Sequence, residues 1–192
     1  MISVVVLSGL LFQYADSVYL LIPAVLFAWL FAVFRDPIRN IPAVPLGVVS
    51  PVDGVVTEVG LTDNSVLGGE AHRIVIEIDS LGSYTARSPV EGKVMDFRGD
   101  GAHESVRKLS SGLWIQTDEG DDVVLQFMRH RFGLAPLAFL RFGERIGQGQ
   151  RCAYLRLTRV AELQFPLHGR MLVEPGQRVK AGCDLLGKLP PH

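Results

Sequence analysis

The sequence predicts a mainly β protein: a compact barrel-sandwich-like β domain with few short helices, preceded by an N-terminal membrane helix or helical hairpin. Three observations carry this expectation. From Val48 onward, short β-branched runs alternate with Gly and Pro, the pattern of strands joined by tight turns. Turn motifs recur along the chain in related pairs. The apolar excess of the composition is concentrated in the first 34 residues.

Residues 1–34 hold seven residues outside the apolar set and a single charge, Asp16, with no Lys or Arg. Val18 to Phe34 is an apolar run of about 17 residues, which as a helix spans roughly 25 Å, slightly less than a hydrocarbon core. Ile2 to Phe12 is a second, shorter apolar run, and Gln13, Tyr14, Asp16 and Ser17 form a polar break between the two. One transmembrane helix with a buried extension and a hairpin dipping in from one side both fit this pattern. The absence of a basic leading region and of a small-residue cleavage site before Arg35 argues against a cleaved signal peptide. Arg35 and Arg39 follow the apolar run directly, and the positive-inside rule places that flank, and the domain after it, on the cytoplasmic face of the cell (inner) membrane.

The organisation expected is therefore a membrane segment over 1–34 and a β domain over 35–192. A chain of 192 residues and 21.1 kDa has room for one such domain plus an appendage. Of the 19 basic and 20 acidic residues, all but Asp16 fall after residue 34, so the domain carries 19 of each. A neutral domain is not built to bind nucleic acid through a basic surface. Cys152 and Cys183 lie about thirty residues apart, with no partner at metal-ligand spacing, which signals neither a zinc site nor a disulfide framework and suits a reducing compartment.

Strands are expected around Val55–Val59, Arg73–Ile78, Val123–Phe127 and Ala153–Leu157. The strongest candidate helix runs from Met128 to Leu140, against the presence of Gly133 and Pro136. Pro51-Val-Asp-Gly54, Pro89-Val-Glu-Gly92 and Pro166-Leu-His-Gly169 share a turn signature in which Gly is expected to supply a positive φ leading into a strand. Gly143-Glu-Arg-Ile-Gly-Gln-Gly149 and Gly176-Gln-Arg-Val-Lys-Ala-Gly182 repeat at the same internal spacing. Such paired hairpins suggest a sandwich folded from two related halves, as in lipoyl or biotinyl carrier domains. A carrier role needs a lysine at an exposed hairpin tip, and neither Met-Lys-Met nor Asp-Lys-Ala occurs here.

Phe34-Arg-Asp-Pro-Ile-Arg-Asn-Ile-Pro42, directly after a membrane segment, and then Val49-Ser-Pro-Val-Asp-Gly-Val-Val56 resemble the opening of the short bacterial and archaeal type of phosphatidylserine decarboxylase. Arg87-Ser-Pro-Val-Glu-Gly-Lys-Val94 resembles that family's Arg-x-Pro-x-x-Gly-x-Val turn, and Gly143 to Gln150 with Val173 to Gly182 resemble its two closing hairpins. The resemblance covers essentially the whole chain. It implies a membrane-attached carboxy-lyase of phospholipid metabolism that makes its own cofactor. A Ser following Gly attacks the preceding carbonyl, the ester undergoes β-elimination, and the new N-terminus becomes a pyruvoyl group. That group acts as the electron sink when phosphatidylserine loses CO2 to give phosphatidylethanolamine, while a His assisted by an Asp handles the protons.

Carried onto this chain, the family's acid position falls on Asp53, for which a turn aspartate capping nearby N–H groups is the plain alternative. The family's His, three residues before Arg87, falls on Tyr84, and a phenol is a poor proton acceptor at neutral pH. The Gly-Ser cleavage pair falls on Leu157 and Thr158, in an alignment with one extra residue before Pro166. Leucine narrows the conformations open to a strained scissile turn, and β-branched Thr crowds the attacking oxygen. Thr158 would leave a 2-ketobutyryl group in place of pyruvoyl.

His72, His103, His130 and His168 are scattered without ligand spacing, and no metal is expected. Arg129, His130 and Arg131 form a small basic cluster that either faces phosphate head groups or is a solvated charge run. The resulting expectation is a non-processing homologue that binds lipid or a partner. The alternative is an active decarboxylase that cleaves itself at Thr158. No cofactor is expected of an unprocessed chain, and a self-derived pyruvoyl-type group of a processed one. The partners implied are an anionic or serine phospholipid, the membrane, and a second copy or an active homologue, with no nucleic acid.

Overall fold

The computed structural model describes residues 21–33, 36, 38–42, 44–63, 65–80, 82–98 and 111–191. The chain divides into two compact units, Met1–Asp36 and Pro37–His192, each described by itself. In the first, α1 spans Leu21–Val33 and exposes Leu21, Ile22, Val25, Trp29 and Phe31. Thirteen helical residues extend about 20 Å, and among the described residues no helix is long and apolar enough to cross a membrane. Of the expected spanning run Val18–Phe34, the described helix takes in Leu21–Val33. The Ile2–Phe12 run, the polar break at 13–17, the ends of the Val18–Phe34 run, Arg35 and His103 lie outside the described residues.

The second unit is built from antiparallel strands. The largest sheet has eight, in the order β13 (Arg178–Val179), β2 (Gly54–Thr62), β3 (Ala71–Ile78), β11 (Thr158–Pro166), β7 (Asp122–His130), β6 (Gly112–Gln116), β5 (Gly92–Arg98) and β9 (Arg145–Ile146). Two three-stranded sheets complete it: β1 (Gly47–Val49), β14 (Leu185–Lys188) and β12 (Arg170–Met171), and β4 (Thr85–Arg87), β10 (Arg151–Tyr154) and β8 (Leu137–Ala138). The strand expected at Ala153–Leu157 ends at Tyr154 and gives way to a turn. The helix expected at Met128–Leu140 does not form. The strand β7 continues to His130, a single 3-10 turn follows over Arg131–Gly133, and β8 begins at Leu137. Gly133 and Pro136 interrupt the periodicity, and pairing with β11 captures the first part of the segment.

Alternation sets the core. Along β11, Ala161, Leu163 and Phe165 face the core with Ile74, Ile76, Leu125 and Phe127. Each large side chain so buried contributes about 2 kcal/mol of transfer free energy. On the opposite face of β11, Glu162 and Gln164 are also buried, and they are satisfied by pairing. Arg73 Nε donates to Glu162 at 2.8 Å and Gln164 Nε2 donates to the other Glu162 oxygen at 2.6 Å.

The repeats in the sequence are repeats in space. Val179 of β13 pairs with Gly54 of β2, and Ile146 of β9 pairs with Gly92 of β5. Gly176 N–H donates to Val56 and Gly143 N–H to Val94, while Gly182 N–H donates to Ser50 and Gly149 N–H to Ser88. Gly143 and Gly149 sit at φ 84° and 69°, and Gly176 and Gly182 at 90° and 70°; the two segments are not the hairpins expected, because β9 pairs with β5 and β13 with β2 rather than with a sequence neighbour. Gly54, Gly92 and Gly169 do not have a positive φ, which corrects the expectation that they supply a left-handed turn. Gly54 and Gly92 are required by close approach: a Cβ would lie 2.1 Å from the Glu77 carbonyl oxygen and 2.2 Å from that of Gln116.

Candidate functional site

Asp53 ends the bend that leads into β2. Its carboxylate is held on both oxygens: Oδ2 accepts Arg39 Nη2 at 2.6 Å and the Ser83 N–H at 2.7 Å, and Oδ1 accepts the Ala181 N–H at 2.7 Å. Three donors, one of them charged, satisfy the hydrogen-bonding capacity of a nearly buried carboxylate. Gly82 permits the approach, since a Cβ there would meet the Asp53 Cβ at 2.7 Å.

Ser83 delivers the chain directly to Tyr84, so the acid and the residue at the family's His position share one hydrogen-bonded corner. The Tyr84 carbonyl accepts the Leu155 N–H at 2.9 Å, and the Leu155 carbonyl in turn accepts the Thr158 N–H at 3.1 Å. Backbone pairing thus gathers Asp53, Tyr84 and the Leu157-Thr158 bond into one region from segments about 30 and 70 residues apart in sequence. The Tyr84 ring packs against Tyr154 at 5.9 Å between centroids, and Tyr154 meets Phe139 edge-on at 4.3 Å. Tyr84, Tyr154 and Phe139 thus form an aromatic row.

Thr158 is the first residue of β11 and is buried, while Leu157 is exposed at the turn before it. The positive φ of this turn, 53°, is at Arg156, one residue upstream of the pair the sequence pointed to. Arg156 is held there by a hydrogen bond from its Nη1 to the Ala135 carbonyl. Both sides of the Leu157-Thr158 peptide are hydrogen-bonded, the amide to Leu155 and the Leu157 carbonyl to the Arg131 N–H at 3.2 Å.

The residue that sequence reasoning missed is His130. It pairs with Thr158 across β7 and β11, and its Nδ1 lies 3.0 Å from Thr158 Oγ1. Burial lowers its pKa from the ordinary imidazole value, with a hydrogen bond to the Phe127 backbone opposing, so the ring is neutral at physiological pH. No spacing rule could have found this contact, because cross-strand register joins residues 28 positions apart. His130 is accordingly distinct from the basic cluster in which it stands; Arg129 and Arg131 are exposed.

His168 Nε2 is hydrogen-bonded to Asp121 Oδ1 at 2.7 Å, and among the described residues no group of three or more His, Cys, Asp and Glu could hold a metal. Cys152 and Cys183 are both free thiols, and burial pushes the Cys152 thiol up to about 12, which makes it unreactive. A concavity of about 420 Å³ opens elsewhere, lined by Val44, Leu46, Glu91, Asp118, Glu119 and Gln148. Its three carboxylates disfavour an anionic head group, and it contains none of Asp53, Tyr84 and Thr158.

No family model matches the chain. Solved structures include the glucose permease IIA from Mycoplasma capricolum, which superposes with a TM-score of 0.51 at 18% identity, covering 74% of this chain and 94% of that one. That likeness is one of fold. Individual proteins carry more: the phosphatidylserine decarboxylase proenzyme of Burkholderia ambifaria is 32% identical over 174 residues, covering 84% of this chain and 81% of the relative. Those of Burkholderia vietnamiensis and Nitrosomonas europaea are 30% and 28% identical over nearly the same extent. At this identity and coverage, the chain belongs to the phosphatidylserine decarboxylase family.

Proposed function

We propose that this chain is a non-processing member of the family, a membrane-attached protein of phospholipid metabolism that has kept the scaffold and engages phospholipid without forming the family's cofactor. The membrane segment at 1–34 and a cytoplasmic β domain over 35–192 are part of this reading. The observation that carries it is the state of the proton-transfer corner. Asp53 is committed to Arg39 and two backbone N–H groups, and beside it Tyr84 lies in an aromatic row. A phenol in that place does not take a proton from a substrate amine or a threonine hydroxyl at neutral pH. The residues also do not fit a pyruvoyl group, because the methyl group of Thr158 would remain after elimination.

One observation favours the second reading, an active decarboxylase with self-cleavage at Thr158. In the Nε2–H tautomer, neutral His130 accepts the Thr158 hydroxyl proton while the Arg131 N–H polarises the Leu157 carbonyl. Oγ1 would bond to the Leu157 carbonyl carbon, the C–N bond would break, and His130 would return its proton to the released amine; loss of the Thr158 Cα proton with departure of the Leu157 carboxylate would then part the chains, and water would release ammonia to leave a 2-ketobutyryl end. The intact mass of the purified full-length chain separates the two readings. A single species of 21.1 kDa supports the non-processing protein. Two chains, the smaller starting at residue 158 with a blocked N-terminus, would overturn it.

A further inference from the structure

We propose that the outer face of the β4–β10–β8 sheet, with the turn and arginines that flank it, docks on an anionic phospholipid bilayer. At β8 and β10 the sheet has two unlike faces, while Thr85 of β4, the register partner of Tyr154, is buried. Ala86 and Ala153 point into the core, and Ala138 pairs with Ala153 on that side. On the other side Leu137 and Tyr154 are cross-strand partners, and Phe139, two residues beyond Leu137, shares their face and packs edge-on against Tyr154. Leu137, Phe139 and Tyr154 are all exposed. The face extends at one end through Leu157, whose carbonyl is tied to the Arg131 N–H, to Phe132. Phe132 is 89% exposed and sits at a φ of 55°, so a bulky aromatic side chain is held in water by a backbone conformation that disfavours it. An exposed cluster of this kind, Leu137, Phe139 and Tyr154 together, marks an interaction site.

Charge identifies the occupant. Residues 128–143 carry Arg129, Arg131 and Arg141, residues 151–159 carry Arg151, Arg156 and Arg159, and neither stretch contains an Asp or Glu. Arg129, Arg131, Arg141 and Arg159 form no ion pair among the described residues. Arg129 and Arg159 fall between the register pairs Thr158–His130 and Val160–Met128, which sets two like charges side by side across the strands. Such an arrangement is unfavourable in water and favourable against an anion. The chain segments that flank this face thus carry only positive charge, whereas the concavity elsewhere is lined by Glu91, Asp118 and Glu119. Exposed aromatic and aliphatic side chains ringed by arginine match the head-group region of an anionic leaflet: apolar groups enter the acyl boundary and guanidinium groups meet phosphate. The turn at Leu157-Thr158 lies at the edge of this face, so docking would bring the family's reaction site to the lipid.

The proposal does not depend on whether the chain processes itself. The test is hydrogen exchange on the full-length chain in nanodiscs of phosphatidylcholine alone and of phosphatidylcholine with phosphatidylglycerol. Amides of residues 131–142 and 155–157 are expected to exchange about tenfold more slowly in the anionic discs, with the β2–β3 hairpin unchanged. A triple R129E/R131E/R141E variant, all on exposed positions, is expected to exchange in anionic discs as the unaltered chain does in neutral ones. Equal exchange in the two discs would overturn the proposal, as would protection that appears without lipid and rises with protein concentration, the mark of a second copy on this face. Intact mass reads the bond before Thr158 and exchange reads the sheet face, so either inference can fail alone.

Discussion

His130 Nδ1 lies 3.0 Å from Thr158 Oγ1, and the two residues are direct register partners across β7 and β11. The contact joins an imidazole that no motif marked to the hydroxyl at the family's cleavage position. It has a consequence for stability whether or not the hydroxyl ever attacks.

Burial holds the His130 pKa below its unfolded value of about 6.5. Above that pH both states are neutral and the site contributes its full share. As pH falls below it the unfolded chain takes the proton first, so stability declines until the folded pKa is passed. The urea midpoint of the unaltered chain is therefore expected to drop between pH 7.5 and 5.5 more than that of His130→Asn. Parallel curves for the two proteins would show that His130 does not titrate as described.

Asp53 is the anchor of its corner, and its loss strands Arg39 and two backbone N–H groups. Asp53→Ala is expected to cost about 3 kcal/mol in urea unfolding. Asp53→Asn should cost less, because its carbonyl oxygen still accepts one N–H. Equal, small effects of both would mean that the carboxylate contributes little to the fold.

Installing the residues that the resemblance implies tests the non-processing reading. The triple variant Tyr84→His, Leu157→Gly, Thr158→Ser places an imidazole beside the Asp53 corner and a small, unbranched pair at the turn. It is expected to give two chains on a denaturing gel, with the smaller one beginning at residue 158. A triple variant that folds and stays intact would locate the defect in the scaffold itself.

Glycine substitutions separate close approach from mere presence in a strand. Gly54→Ala and Gly92→Ala each drive a Cβ into a carbonyl of the neighbouring strand and are expected to destabilise by more than about 3 kcal/mol. Gly60, also in β2, has open space around it, so Gly60→Ala is expected to be neutral or slightly stabilising. Thermal midpoints of the three variants decide this.

The amino-acid sequence by itself determined the β class, the strands at Val55–Val59, Arg73–Ile78 and Val123–Phe127, and the repetition of the Gly143–Gly149 segment at Gly176–Gly182, though not its pairing, since β9 and β13 join the distant strands β5 and β2 rather than closing hairpins. These are local properties, written in β-branched alternation and in glycines at the turns. The ordered Pro-x-x-Gly motifs likewise carried the family. Tertiary structure alone decided the rest. Met128–Leu140 reads as a broken helix until β11 offers its beginning a ladder of hydrogen bonds that no local window contains. Gly54 and Gly92 look like turn residues until a partner strand's carbonyl occupies the space of their missing Cβ. The His130–Thr158 pair and the Leu137–Phe139–Tyr154 face exist only through cross-strand register, which fixes which distant residues become neighbours and which side of a sheet they share.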